Sequence, residues 1–599
     1  MSTPETRLTW QFFPILDIGL AVFAGAVWYV RPQIGVLPFG LFVLAALLRW
    51  LVYGYPTRAT PFDLPILVFL ITAFIAASIA HNQGVEWSQH LTPLEWAWGK
   101  YYYLLGAIGL YYAIANLRTI DQVWWLIRGY AAFGAIVAIY FLLTNDWLAR
   151  GVKFDQLTQI GVWLSAFRPD VPGHRLHPNV AGGILAFVFP FCVPMLAEAR
   201  ARRQSAHFAF WSAAALVMLV GWIMSASRGA WLALALVMVG WYLASHNVST
   251  FERWKVGVLV LLIGASALLL SVGASDWLGN GWQIYGANVA LSRWELVTGS
   301  LSIARDYFFT GGGLGAFPML FSAYYLLVPV FYIIYSHNLF LDILIEQGII
   351  GWLSFLWLLG AFFWMTMFAL RHLDTQHESV ARLRWMLQAT LASMLVMLTH
   401  GIVDDIPYGS RALLLMLVPC GIVAALTPHL PRVTLRPLVR IAPLAIAAVA
   451  LVLIWQRDTI IGAWYANLGA VAQAQAELTG ARAAPQRTPE MLRRTPALLP
   501  AEQHFRDALR SDAGNITANQ RLAMIALARG NYASAQSYLE TARAANSVDA
   551  LTMRLEANVY IARGMNTEAC QIAARAQTLG LGGPWTFALP ECAGQKYRR

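Results

Sequence analysis

The sequence predicts an all-α protein that crosses a membrane about a dozen times and ends in a soluble helical unit. Three observations carry that prediction. Of 599 residues, 58% are hydrophobic and only 12% charged, where ordinary globular domains carry about 25% charged residues. Mean hydropathy is +0.55, and apolar runs of roughly 18 residues or more, the length needed to cross a bilayer, recur through the first three quarters of the chain. Beyond residue 458 the composition changes to Ala, Gln, Arg and Glu at helical spacing.

Apolar runs set against their polar breaks place the spans in order near residues 11–30, 34–53, 62–80, 101–116, 122–143, 179–198, 207–224, 228–245, 254–273, 349–370, 384–401, 410–427 and 440–457. The first run is long enough to span and is followed by Arg31 and Pro32 rather than by a small-residue cleavage site, so it is expected to stay as an anchor. Short loops set the orientation, because basic residues beside spans tend to remain cytoplasmic. One set of loops holds fifteen basic residues, including Arg49, Arg58, Arg118, the cluster Arg200, Arg202 and Arg203, Arg371, Arg382 and Arg384. The short loops of the other set hold only Arg31, Lys100, Arg228 and Arg411. The amino terminus is therefore expected inside. Outside would lie the loops at about 144–178 and 274–336 and everything after residue 458. The division expected is a membrane unit over 1–430, an extra span within 431–458 and a repeat unit over 459–599.

Lys and Arg exceed Asp and Glu by 42 − 31 = 11. Membrane topology accounts for that excess better than a nucleic-acid partner, and none is expected. The 4 cysteines exclude a disulfide scaffold, and no CxxC or clustered His/Cys spacing points to zinc. Cys570 and Cys592 stand in the polar tail, where pairing requires export; two free thiols are the favoured reading.

The tail repeats itself. Ala528-Arg529-Gly530 recurs as Ala562-Arg563-Gly564; Ala501, Ala535 and Ala569 are equally spaced, as are Ala508, Ala542 and Ala576, always at 34 residues. That period resembles tetratricopeptide repeats, in which small alanines let paired helices pack closely. An alanine-rich bundle in accidental register is the alternative. Either would serve for docking or spacing.

Ionisable groups at membrane boundaries are costly and are usually paired, facing water or functional. Four constellations of them map to the outer side. SASRGA, Ser225–Ala230, joins two apolar helices, and Arg228 within it offers a planar fork suited to phosphate oxygens or, more blandly, a snorkelling anchor. Arg293 and Glu295 precede Arg305, Asp306 and the run Gly311-Gly312-Gly313-Leu314-Gly315; without a preceding strand these glycines read as a turn, and Arg293 as a possible loop ion pair. Ser336-His337-Asn338 leads into Asp342, Glu346, Gln347 and Gly348. His337 stands where a long outer loop re-enters the membrane, and an imidazole there is either hydrogen-bonded structure or a group able to take a proton near neutral pH. Gly173-His174-Arg175-Leu176-His177-Pro178-Asn179 ends the other outer loop. Asn179 there is a candidate helix cap, and His174 and Arg175 candidate sources of positive charge for an anionic pocket. His400, Asp404 and Asp405 form a smaller group.

In this order and on this topology, these residues resemble the O-antigen ligase and polymerase superfamily of membrane glycan transferases. SRGAWLAL from Ser227, SRW with the downstream DYFFTGGGLGAF from Asp306, and SHNLFLDILIEQGIIG from Ser336 carry the resemblance, with HPNVAGGIL from His177 and HGIVDD from His400 as looser elements. It covers roughly residues 10–430. It implies an all-helical glycosyltransferase architecture of the GT-C kind with about twelve spans; the extra span that exports the tail departs from it. The implied activity is inverting, metal-independent transfer of a glycan from a polyprenyl diphosphate to an acceptor hydroxyl at the outer face of the bacterial inner membrane, with no cofactor beyond that donor. His337 would be the general base, and Arg228 and Arg293 would hold the diphosphate and stabilise it as leaving group. His174, Arg175, Asn338, Arg305 and Asp404 would contact substrate. The acceptor could be a glycolipid, as in a ligase, a second lipid-linked glycan, as in a polymerase, or a protein, with the repeats recognising a protein partner. A transporter also fits the span count. Its discriminating sign would be polar residues near mid-span or repeats among the spans, whereas the polar groups gather at outer ends.

Overall fold

A computed structural model describes residues 4–31, 34–82, 97–148, 152, 154–168, 175–245, 282–284, 287–289, 293–327, 333–373, 378–430, 450–483, 489–579 and 581. Its first half contains α1 (Pro4–Val30), α2 (Phe39–Tyr53), α3 (Asp63–Asn82), α4 (Ala97–Ala115), α5 (Ile120–Thr144), α6 (Asp155–Ser165), α7 (Pro178–Val188), α8 (Cys192–Ala201), α9 (Ser205–Met224) and α10 (Arg228–Ser245). After an antiparallel hairpin, β1 (Trp282–Ile284) and β2 (Ala287–Val289), come α11 (Arg293–Asp306), α12 (Phe317–Phe321), α13 (Leu339–His372), α14 (Glu378–Gly401), α15 (Ile406–Gly409) and α16 (Val418–Leu426). The tail comprises α17 (Arg457–Ala483), α18 (Pro489–Leu492), α19 (Leu499–Ser511), α20 (Ile516–Ala528), α21 (Tyr532–Ala545), α22 (Ala550–Ala562) and α23 (Asn566–Thr578).

The chain is an all-α polytopic membrane protein. Among the described residues, 7 stretches are long and apolar enough to cross a bilayer: Phe13–Val30, Asp63–Ala80, Ile120–Thr144, Pro178–Ala201, Ser205–Met224, Leu339–His372 and Arg411–His429. Shorter apolar helices occupy Phe39–Tyr53 and Arg228–Ala244. The span expected at 254–273 lies outside the described residues, as does most of that at 440–457.

Two spans are broken, each for a local reason. Pro190 interrupts the stretch from α7 to α8 with a single 3-10 turn, since proline lacks the N–H an α-helix needs. Gly348 has φ +70° inside α13, which divides it into a first segment, 339–347, and the expected membrane run beyond. The turn 311–315 fills that break: Gly312 N–H donates to the Ile345 carbonyl at 2.7 Å, Ile349 N–H donates to Phe308 at 2.7 Å, and Leu314 N–H donates to Ala76 of α3 at 3.0 Å. A Cβ on Gly348 would lie 2.8 Å from the Gly311 nitrogen and 2.9 Å from the Phe309 carbonyl oxygen, so glycine is required by space as well as by dihedral.

Polar contacts sort to the two ends of the bundle. At one end Arg382 pairs with Asp121 at 2.7 Å and with Glu198 at 3.0 Å, and Glu198 with Arg128 at 2.7 Å. These groups belong to the arginine-rich ends. The 225–230 turn, the 335–342 segment and the tail gather at the other end.

The tail is built from helix pairs. Helices α20 and α21 are followed by α22 and α23 with starts displaced by 550 − 516 = 34 and 566 − 532 = 34 residues. Each Ala-Arg-Gly motif forms the turn inside a pair, with Gly530 at φ +76° and Gly564 at φ +75°. The equally spaced alanines Ala501, Ala535, Ala569, Ala508, Ala542 and Ala576 are all buried between helices. Cys570 is disulfide-bonded while Cys192 and Cys420 are free, which overturns the preference for free tail thiols. A disulfide belongs to an oxidising compartment.

Candidate active site

His337 sits at the mouth of α13 in a backbone conformation that non-glycine residues rarely adopt, φ +57°. Its neighbours hold it there. The Asn338 side chain caps α13, accepting from the N–H groups of Phe340 and Leu341 at 3.0 Å each, while its amide donates to the Ile402 carbonyl at 2.9 Å. Ser336 N–H donates to Asp342 at 2.9 Å, and the Tyr335 ring meets the imidazole edge-on with centroids 4.6 Å apart.

The imidazole points one nitrogen at a carboxylate. Nδ1 of His337 lies 3.0 Å from Oδ1 of Asp404, whose side chain is 5% exposed against 27% for the histidine. Asp404 is itself fixed: Asn179 Nδ2 donates to its Oδ2 at 3.0 Å and the Asp405 N–H to its Oδ1 at 3.0 Å. A carboxylate on Nδ1 favours the tautomer with its proton there, leaving Nε2 as the basic nitrogen. Asp404, expected to contact substrate, is thus in hydrogen-bond contact with His337. Asn179, expected as a helix cap, reaches Asp404, and the cap of α7 is His177, whose ring accepts the Asn179 N–H at 3.2 Å.

The 225–230 turn adjoins the same place. Ala226 has φ +50°, Ser225 and Ser227 are buried, and Arg228 is the half-buried first residue of α10. A Cβ on Gly229 would stand 2.7 Å from Val403 and 3.1 Å from His400, and one on Gly183 would stand 3.0 Å from His400. The turn containing Arg228, the 400–405 turn, the start of α7 and the 336–338 segment thus converge. A helix amino terminus bearing an arginine, beside a carboxylate-oriented imidazole, can bind an anion and accept a proton within one site.

Beneath it lies a second polar layer that sequence reading missed. Lys100, taken as a short-loop residue, is buried, with Nζ 2.8 Å from Glu346 Oε2 and 3.7 Å from the centroid of the Tyr408 ring. Tyr408 donates to Glu346 at 2.8 Å, and Gln347 joins Tyr408 to Thr72 through bonds of 2.9 Å each. The Asp342 and Asp405 carboxyls are both buried beside this layer. Burial, and then the neighbouring Asp342 carboxyl, push Asp405 well above the ordinary carboxylate range. Only the run of polar types at 342–347 hinted at this layer.

The other expected residues fall elsewhere. Arg293 begins α11, but its side chain lies outside the described residues, as does all of His174. Arg175 pairs with Asp146 at 2.5 Å, joining the two ends of the 144–178 loop. Arg305, expected to contact substrate, turns to the tail, 3.2 Å from Asp549 and 2.9 Å from Gln520.

Residues 213–356, which include Arg228, Arg293 and His337, match the family model described as O-Antigen ligase. The chain therefore carries an O-antigen ligase domain over that stretch and is an enzyme of that type. No curated protein and no solved structure matches it.

Proposed function

We propose that this enzyme transfers a glycan from a polyprenyl diphosphate to an acceptor hydroxyl, with His337 as general base oriented by Asp404. The observation that carries the reading is the 3.0 Å contact between His337 Nδ1 and Asp404 within the convergence of turns. Nε2 takes the acceptor proton as its oxygen attacks the anomeric carbon. The sugar–diphosphate bond breaks, and direct displacement inverts that centre. The electrons depart onto the diphosphate, and Arg228 and Arg293 are assigned to the growing charge there. An arginine engages such a group bidentately and more strongly in the transition state than in the bound donor. Arginines in this role replace a divalent ion, so the proposed step requires no metal.

The disulfide at Cys570 supports an exported tail, and with it an amino terminus inside and a site on the outer face of the bacterial inner membrane. The 34-residue helix pairs are read as tetratricopeptide-like, a form suited to a protein partner or acceptor. The division proposed remains a transferase unit over 1–430, a span within 431–458 and the repeat unit beyond.

The test is to incubate the purified chain in nanodiscs with a polyprenyl-diphosphate-linked glycan and three acceptors: lipid A core, a second lipid-linked glycan and protein. Labelled lipid A core is expected. Labelled glycan would instead make the enzyme a polymerase and labelled protein an oligosaccharyltransferase, while no product on any acceptor from folded protein would refute glycan transfer and favour transport.

A further inference from the structure

The tail does more than adjoin the outer loop; it supplies the side chains that hold it. Three arginines of the tail, Arg493, Arg521 and Arg554, are buried, and each reaches into residues 306–325. Arg521 pairs with Asp306 at 2.6 Å, with side-chain exposures of 0% and 2%, and its guanidinium lies 3.8 Å from the centroid of the Tyr324 ring. Arg554 donates to the Tyr325 carbonyl, and Arg493, anchored 3.0 Å from Glu477, donates to the Ala323 carbonyl at 3.5 Å. Burial pulls the Arg521 guanidinium down, but Asp306 and the two adjacent tyrosines outweigh it, so the guanidinium keeps its charge.

The carboxyl end of α11 is finished by the tail as well. Asn467 of α17 donates to the Arg305 carbonyl at 3.0 Å and accepts the Phe309 N–H at 2.8 Å, so one side chain serves both a helix-end carbonyl and the turn beyond it. Thr517 donates to Asp306 at 2.7 Å. Along the side of α11, a Cβ on Gly299 would lie 2.5 Å from the Tyr325 ring, the residue that Arg554 grips. Helix α11, which also packs against α13, is therefore held at its carboxyl end and along one side by contacts that lead to the tail. Its other end begins with Arg293, about 20 Å away at 1.5 Å per residue.

We infer that the tail is a positioning element of the donor site, in which Asp306, Arg521 and Asn467 fix α11 so that its amino terminus presents Arg293 to the lipid-linked diphosphate. This rests on the function proposed above for Arg293. The positioning residues touch no substrate; they act through the axis and register of a rigid helix. A buried charge left without its partner is costly, whereas replacing both partners by uncharged groups of similar size is close to neutral. The pair can therefore be removed without sacrificing the fold.

The experiment uses the full chain in nanodiscs. Arg521→Met, Arg521→Lys, Asp306→Asn, the double variant Asp306→Asn/Arg521→Met and a control, Arg506→Ala on an exposed tail face, are compared in donor KM and kcat and in amide hydrogen exchange over 293–306. Arg521→Met and the double variant are expected to raise donor KM about tenfold or more and to lose protection in 293–306, with helices 516–578 still protected. Because the two groups act as a pair, the double variant should be no worse than Arg521→Met. Arg521→Lys should recover part of the loss, and the control should match wild type. If Arg521→Met fails to fold, the double variant decides alone. Wild-type donor KM together with wild-type protection of 293–306 in the double variant would overturn the inference. Absence of transfer by the wild type would strike the proposed function, and the exchange measurement would still show whether the tail fixes α11.

Discussion

Asp404→Asn isolates the orienting carboxylate. The substitution keeps the volume and leaves an oxygen able to accept from His337 Nδ1, now 3.0 Å from Asp404, but removes the charge. When Nε2 takes the acceptor proton, the imidazolium and the carboxylate are separated by about 4 Å, worth about 4 kcal/mol at an effective dielectric of about 20. A neutral hydrogen bond in its place returns about 1 kcal/mol. Solvent reaching the histidine, which is 27% exposed, trims the difference to about 2–3 kcal/mol. That corresponds to a fall in kcat of roughly 30- to 150-fold. Donor KM should hardly change, because in the proposed mechanism the carboxylate acts through His337. Steady-state transfer in nanodiscs, with donor and acceptor varied separately, reads both numbers. A wild-type kcat, or a loss confined to KM, would refute the orienting role.

Three further outcomes are expected. Arg228→Lys and Arg293→Lys should each lose most activity, since an ammonium cannot reproduce the bidentate fork on a diphosphate; a wild-type rate in either variant would move that arginine to a structural role. Gly348→Ala should destabilise the membrane unit by roughly 2–4 kcal/mol, because a Cβ there combines a left-handed backbone with contacts to two backbone atoms, and an unchanged unfolding temperature would contradict it. Asp405 keeps its proton in the folded state to higher pH than in the unfolded chain, so its contribution is full at low pH and declines as pH rises from the unfolded value, about 3.9, through the raised folded one. Asp405→Asn should therefore raise the unfolding temperature relative to wild type more at pH 7.5 than at pH 4, as measured by thermal unfolding at the two pH values, and the reverse order would contradict the assignment.

Much of the membrane architecture was legible because length and hydropathy are local properties. The run at 228–245 coincides with a helix, and that at 349–370 begins where Gly348 breaks α13. Helix α11 was not placed as an element, because it is neither apolar enough to read as a span nor bounded by strong turn signals. The site was legible by residue type and not by pairing. His337 stood out, but its partner Asp404 is 67 residues away, and nothing local tells which side chain an aspartate will meet in the fold. The contact of Arg305 with the tail was hidden for the same reason: Asp549 lies 244 residues further on. Lys100 looked like a loop cation because its partner Glu346 is 246 residues distant. The 34-residue period did foretell the tail's helix pairs, since repetition is visible without contacts.

The central claim is that His337 accepts the acceptor's proton. It is tested most directly by a single-turnover measurement of wild type and His337→Ala, each with donor bound and acceptor added in excess. Loss of at least about 100-fold in the transfer step, with donor binding and thermal unfolding unchanged, is the predicted result. Transfer by His337→Ala at the wild-type rate would contradict it and leave the base to be sought elsewhere in the site.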